Sequence, residues 1–130
     1  MDGTAPRPTD PGKARILIVE DDATLGQALC SVLTHEGYGV VFAPDFRSAL
    51  EILEGDQQLD LLLVDIVMPN SVNGLALARM ARLRRRNLKV VYLSGYNIPG
   101  VEDELLGPIL RKPIDDRLLI EEIEKALAAS

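Results

Sequence analysis

Two groups of carboxylates stand where apolar runs end. Leu61-Leu62-Leu63-Val64 runs into Asp65, and Ile16-Leu17-Ile18-Val19 runs into Glu20-Asp21-Asp22. Unbroken aliphatic runs of this length are the mark of strands buried on both faces. In an open parallel sheet the carboxyl ends of neighbouring strands meet at the crevice where ligands bind, so acids distant along the chain can converge there. Two carboxylates about 4 Å apart repel by roughly 4 kcal/mol at an effective dielectric of ~20, so such a cluster demands a proton or a hard divalent ion. All-oxygen ligands of this kind suit magnesium. Two further strand ends add a hydroxyl, Ser94 after Val90-Val91-Tyr92-Leu93, and an ammonium, Lys112 after Ile109-Leu110-Arg111. Each of these residues alone is a weak signal, because Asp, Ser and Lys are common where strands meet loops. Their combination in this order is informative.

The elements that must carry these groups follow from hydrophobic periodicity. From Arg15 onward, short apolar runs alternate with helical patterns, the signature of a parallel sheet covered on both faces. Strands are predicted over 16–19, 40–43, 61–64, 90–93 and 109–111. Leu25, Leu29, Val32 and Leu33 recur at helical spacing behind a cap at Asp22 or Thr24, with Gly37 as the stop. A second helix presents Phe46, Ala49, Leu50 and Leu53 behind Asp45 and closes at Gly55. A third runs from Leu75, after the turn-forming Asn70-Ser71-Val72-Asn73-Gly74, and buries Leu77, Met80 and Ala81. Its arginine-rich end, Arg82, Arg84, Arg85 and Arg86, reads as a solvated helix terminus that complements the helix dipole. The last helix begins at Asp115 or Asp116 and turns Leu119, Ile120, Ile123 and Leu127 inward. Between Ser94 and Gly107, glycines and Pro99 break the pattern, so only Val101–Leu106 can form a helical turn or two. Residues 1–14, with Pro6, Pro8 and Pro11 and almost no large apolar side chain, read as a flexible extension ahead of one domain over 15–130.

Composition narrows the function. The 130 residues fit a single core. A net charge of −6 and a pI near 4.7 argue against nucleic acid as the partner and for a protein or a small ion. Cys30 is the only cysteine, which excludes an intrachain disulfide and suits a reducing compartment. It reads as a small buried hydrophobe, and His35, the only histidine, as a favourable contact at a helix end. No apolar run reaches the ~18 residues of a membrane span, and the N-terminus has no secretory apolar segment, so the expected location is the cytoplasm, away from membranes.

The segments Ile16-Leu17-Ile18-Val19-Glu20-Asp21, Val64-Asp65-Ile66-Val67-Met68-Pro69, Val91-Tyr92-Leu93-Ser94-Gly95 and Leu110-Arg111-Lys112-Pro113 resemble the receiver domain of two-component response regulators, and the resemblance covers Arg15 to Ala128. It implies a flavodoxin-like, doubly wound α/β fold with a five-stranded parallel sheet in the order 2-1-3-4-5. By the same resemblance, Asp65 is the phospho-acceptor and Glu20 and Asp21 are the acids of a magnesium site, with Asp65 and the Val67 carbonyl as further ligands. Ser94 is the switch hydroxyl and Lys112 the phosphate-binding lysine. The implied function is to take a phosphoryl group from a histidine kinase or histidine phosphotransfer protein, with magnesium, and to signal through a downstream protein partner; a homodimer is left open. Physical chemistry agrees, because phosphoryl transfer asks for positioning and charge neutralisation more than for covalent help.

The chain also departs from the pattern. Many receivers carry an aromatic residue three places before the lysine that rotates inward as the hydroxyl moves; here that place is Ile109, so signalling must rely on Ser94, the following loop or another side chain. The short Ser94–Lys112 interval and the Gly107-Pro108 break resemble stand-alone receivers with a reduced fourth helix. No output domain is evident in the sequence, which fits either a stand-alone receiver or a module of a larger kinase. Two rival readings are a degenerate receiver that binds partners without phosphorylation and a phosphatase of the haloacid-dehalogenase type. The second normally needs another aspartate two positions after the nucleophile, where this chain has Val67. In the family, the residues two after the acceptor and two after the hydroxyl influence hydrolysis. Here they are Val67 and Tyr96, and neither offers an amide or carboxylate to orient water, so the phosphorylated form is expected to be long-lived. Val67→Asn should then speed loss of the phosphoryl group, measured as a decay rate; an unchanged rate would remove the idea.

Overall fold

Strands form where the aliphatic runs lie. A computed structural model of the chain describes residues 13–68 and 73–129 and contains β1 (Arg15–Val19), β2 (Gly39–Ala43), β3 (Leu61–Asp65), β4 (Lys89–Ser94) and β5 (Ile109–Arg111). All neighbours pair in parallel, in the order β2-β1-β3-β4-β5. This is the doubly wound sheet expected from the sequence. Three helices connect the first four strands, α1 (Ala23–His35), α2 (Phe46–Glu54) and α3 (Gly74–Arg84), and α4 (Asp116–Ala128) follows β5. The extension over 1–12 and turn residues 69–72 lie outside the described residues, whereas Ala14 already accepts a hydrogen bond from the Gly39 amide.

Alternation along the strands divides the core in two. Leu17, Val19, Leu62, Val64, Val90 and Tyr92 point toward α2 and α3, and Ile16, Ile18, Leu61, Leu63, Val91 and Leu93 toward α1 and α4. Both faces are dry, which explains why these strands read as unbroken aliphatic runs. At about 1.5–3 kcal/mol for each fully buried aliphatic side chain, the central strands are the rigid part of the molecule. Asp22, Asp45, Asn73 and Asp115 cap α1 to α4 by accepting backbone N–H bonds from Leu25, Ser48, Ala76 and Leu118 respectively. Each such cap contributes ~1 kcal/mol.

Three details differ from expectation. In α3, Ala78 is buried and Met80 only half-buried, because the helix starts at Gly74 and sets its inward face from Leu75, Leu77, Ala78 and Ala81. Leu50, Ile120 and Leu127 are likewise half-buried at the edges of their helix stripes. The arginine-rich end is more than a solvated terminus: the Arg85 guanidinium donates to the carbonyls of Leu53, Gly55 and Gln57, satisfying the end of α2 from a neighbouring element. Arg82 donates in the same way to the Leu88 carbonyl.

The stretch between β4 and β5 keeps one 3₁₀ turn, Glu102–Glu104, in place of a helix. A segment without regular structure must find other partners for its amides. The Leu106 N–H donates to the hydroxyl of Tyr92, a fully buried phenol on β4, and the Tyr92 N–H donates to the Pro108 carbonyl. Gly107 lies so close to β4 that a Cβ there would run into the Val90 carbonyl. Gly107→Ala should therefore destabilise the chain by about 1–3 kcal/mol through overpacking. Urea denaturation checks this, and an unchanged midpoint would show that the loop yields freely.

Candidate functional site

Strand register brings the expected residues to one edge. Val19 pairs with Val64, so Glu20 and Asp65 leave β1 and β3 at the same level. Asp65 is opposite Leu93, and Ser94 is opposite Arg111, which sets Ser94 and Lys112 one step further along the same edge. Carboxylate oxygens of Glu20, Asp21 and Asp65 all lie within 4.8 Å of one another. Glu20 and Asp65 are buried and Asp21 is exposed, so the cluster opens to solvent on one side.

One cation faces the two buried acids. Lys112 Nζ lies 2.5 Å from Asp65 Oδ2 and 3.1 Å from Glu20 Oε1. The first contact is a well-directed hydrogen bond; the second has the distance of an ion pair without the direction, so Glu20 Oε1 is a buried oxygen lacking a hydrogen bond. The other oxygens are held by the backbone, Asp65 Oδ1 by the Val67 N–H at 3.1 Å and Glu20 Oε2 by the Asp22 N–H at 3.0 Å. An orphaned buried oxygen costs about 1–3 kcal/mol, more when charged. Set beside two other carboxylates, it is the donor set that a hard cation takes, and the residues present fit magnesium. Burial pushes the Glu20 carboxyl up to about 7, aided by the charge of Asp65 and opposed by the Asp22 N–H and Lys112. Burial works against the Lys112 charge, but its hydrogen bond to Asp65 and the adjacent Glu20 carboxylate outweigh that and raise its pKa above the usual lysine value.

The remaining expected residues divide between two hollows. Val67 and Tyr96 line the acidic cleft together with Glu20, Asp21, Asp65 and Lys112. The Ser94 side chain, expected to face the acids, turns away. It is buried, donates to the Tyr96 carbonyl at 2.8 Å and accepts from the Tyr96 N–H at 3.1 Å. Local bonds from a serine to its following backbone compete readily with longer-range partners, which accounts for the difference. Ser94 lines a second cavity of about 190 Å³, and Ile109, half-buried, is part of its wall.

Sequence reasoning missed Gly74, where a Cβ would run into the Asp65 carbonyl. It also missed the Tyr92 hydroxyl that anchors the loop after Ser94. A glycine opening a helix and a polar-tipped aromatic inside a buried strand were the available signals.

Comparison with known proteins is decisive for the family. The family model of the response regulator receiver domain matches residues 16–124. The chain belongs to the response regulator receiver family. It is similar to the response regulator receiver protein CpdR of Brucella abortus, 36% identical over 120 residues that cover 89% of this chain and 98% of that protein. It is 34% identical over 119 residues to the transcriptional regulatory protein CpxR of Escherichia coli, where it spans 50% of that protein's length. Among solved structures, a CheY-like receiver domain protein from Methanospirillum hungatei superposes with a TM-score of 0.81 at 28% identity, over 88% of this chain and 94% of that one. Receivers are signalling proteins of two-component systems that hold magnesium in an acidic pocket and engage histidine kinases and downstream effectors. No described helix of this receiver is long and apolar enough to cross a membrane.

The raised Glu20 pKa has a consequence for stability. Between the ordinary carboxyl value of 4.5 and about 7, the folded chain holds a proton that the unfolded chain has lost. This contribution is therefore complete below the lower value and fades as pH rises through the upper one. Metal-free protein is expected to lose thermal stability over that window and to regain more of it on adding magnesium above the window than below it. Melting curves in chelator and in magnesium measure both trends; a metal-free melting temperature that rises across the window would contradict the assignment.

Proposed function

We propose that this receiver accepts a phosphoryl group on Asp65 from a phosphohistidine of a histidine kinase or histidine phosphotransfer protein, and that the altered surface is read by a downstream protein in the cytoplasm. The observation that carries the reading is the pairing of Lys112 with Asp65 beside the unpartnered Glu20 oxygen, because it combines a fixed nucleophile, a fixed cation and a donor set for a metal.

The roles follow from the geometry. The Val67 N–H and the Lys112 ammonium hold the two Asp65 oxygens and so orient the carboxylate. In the transfer, an Asp65 oxygen forms a bond to phosphorus while the bond from phosphorus to the imidazole nitrogen breaks and its electron pair returns to the ring. Glu20, Asp21 and Asp65, with the Val67 carbonyl, would hold magnesium, which would supply charge neutralisation for the phosphoryl oxygens. Lys112 supplies a second cation at the same place. Orientation and neutralisation are the main needs of this reaction, and the chain supplies both without a further catalytic group. Once formed, the acyl phosphate adds about −1.5 to −2 charge and new acceptor oxygens that attract donors within reach. Ser94, one step beyond Asp65 on the adjacent strand, is the hydroxyl donor. Hydrolysis by the chain itself is slow in this reading, because Val67 and Tyr96 at the cleft offer no amide or carboxylate to orient water.

Incubation with acetyl phosphate and magnesium should add one phosphoryl group by intact mass. The gain should be absent in Asp65→Asn and slowed on the order of 10²-fold in Lys112→Ala, as for loss of one preorganised charge-stabilising donor. Wild-type protein that folds and binds magnesium yet gains no mass would favour a receiver that works without phosphorylation.

A further inference from the structure

The Ser94 hydroxyl carries one hydrogen, and that hydrogen is donated to the Tyr96 carbonyl, while the Tyr96 N–H donates back to Oγ. A Ser94 that donates to a phosphoryl oxygen on Asp65 must release the Tyr96 carbonyl, because one hydrogen cannot serve both at full strength. Tyr96 stands on the rim shared by the acidic cleft and the cavity beyond Ser94. Tyr96 is 65% exposed as a residue, whereas Tyr38 and Tyr92 are buried. The neighbouring cavity, about 190 Å³, has apolar walls in Ile98, Val101, Leu105 and Ile109. A cavity of ~150 Å³ takes up benzene, so this one has room for a phenol ring. Its lining also includes the polar side chains of Asn97 and Arg111, which bond to each other and offer the partner that a buried tyrosine hydroxyl requires.

We propose that Tyr96 is the side chain moved by phosphorylation: the Ser94 hydrogen bond to its backbone holds the ring outside the cavity, and passing that bond to the phosphoryl group lets the ring swing in against Ile109. The driving force is removal of an exposed aromatic face from water onto the apolar wall of a hollow of matching size, whose other wall, with Ser94, Asn97, Glu102 and Arg111, is polar and can take the phenol hydroxyl. By reciprocity, the inward ring favours the Ser94 position that contacts the phosphoryl group. The surface beside the acidic cleft thereby loses an exposed aromatic, a change that a partner protein can read. The inference rests on Asp65 being the acceptor.

Fluorotyrosine incorporated at the three tyrosines reports the movement by ¹⁹F NMR, with Tyr96→Phe assigning the resonance and a soluble paramagnetic chelate reporting exposure. Treatment with acetyl phosphate and magnesium should reduce broadening of the Tyr96 signal several-fold in the sample whose intact mass shows the added phosphoryl group. Asp65→Asn treated alike should show no change. Ser94→Ala, which removes the restraint without phosphorylation, should protect part of the Tyr96 population on its own. Ile109→Phe, which fills the cavity, should keep the ring exposed in every state. A fully exposed Tyr96 in the phosphorylated chain would overturn the proposal. Absence of the mass gain would instead count against Asp65 as acceptor, and the Ser94→Ala spectrum then decides on Tyr96 by itself: protection supports the restraint, and unchanged exposure overturns it.

Discussion

Like charges gathered at the carboxyl edge of a sheet set the terms for the rest of this molecule. Glu20 and Asp65 are buried at the ends of adjacent strands β1 and β3, whose side chains fill both cores and fix the backbones that carry the two acids. A close-packed interior makes shifts of those backbones costly, so the repulsion is contained by the scaffold and answered locally by Lys112. The answer is incomplete. One ammonium serves two buried carboxylates, and the oxygen left without a hydrogen bond makes the cluster receptive to a further cation. Stability and chemistry meet in that oxygen: fully satisfied, the site would be more stable and less able to bind.

Around this rigid edge the chain varies in stiffness. On the β1–β3 side, helix caps, the Arg85 guanidinium and deep aliphatic packing leave little freedom. On the β4–β5 side, a helix is replaced by a three-residue 3₁₀ turn held by the Tyr92 hydroxyl, by the packing of Leu105 and Leu106 and by an exposed Arg79–Glu104 pair. Exposed ion pairs contribute at most about 1 kcal/mol, so this segment is the natural place for a small free-energy input to become movement. Ser94 joins the two regimes, ending a buried strand while its hydroxyl belongs to the loop.

Ile109 stands where many receivers carry an aromatic residue. A smaller aliphatic at that register position, opposite Tyr92, leaves space at the start of β5, and the cavity beside it is bounded by the exposed Tyr96. The proposed movement of Tyr96 uses that space, and the absence of a full helix between β4 and β5 leaves the backbone beside it free to adjust.

Legibility followed periodicity. The five strands, the four helices and the break after Ser94 could be read from the chain because burial on both faces leaves unbroken aliphatic runs and helix faces repeat every three or four residues. The identities at the strand ends were equally plain, since an acid, a hydroxyl and an ammonium each follow an aliphatic run. Directions and partners were not legible. That Ser94 bonds to Tyr96, that Arg85 completes α2, that Met80 yields its place to Ala78 and that Gly74 admits the Asp65 carbonyl depend on rotamers and approaches between elements far apart in sequence. By itself, the sequence determined which groups end each strand, because local pattern sets the elements, while the strand order came from the family resemblance and not from the pattern. Only tertiary structure decided which of those groups touch, because a side chain has several staggered choices and the neighbours that select one come from elsewhere in the fold.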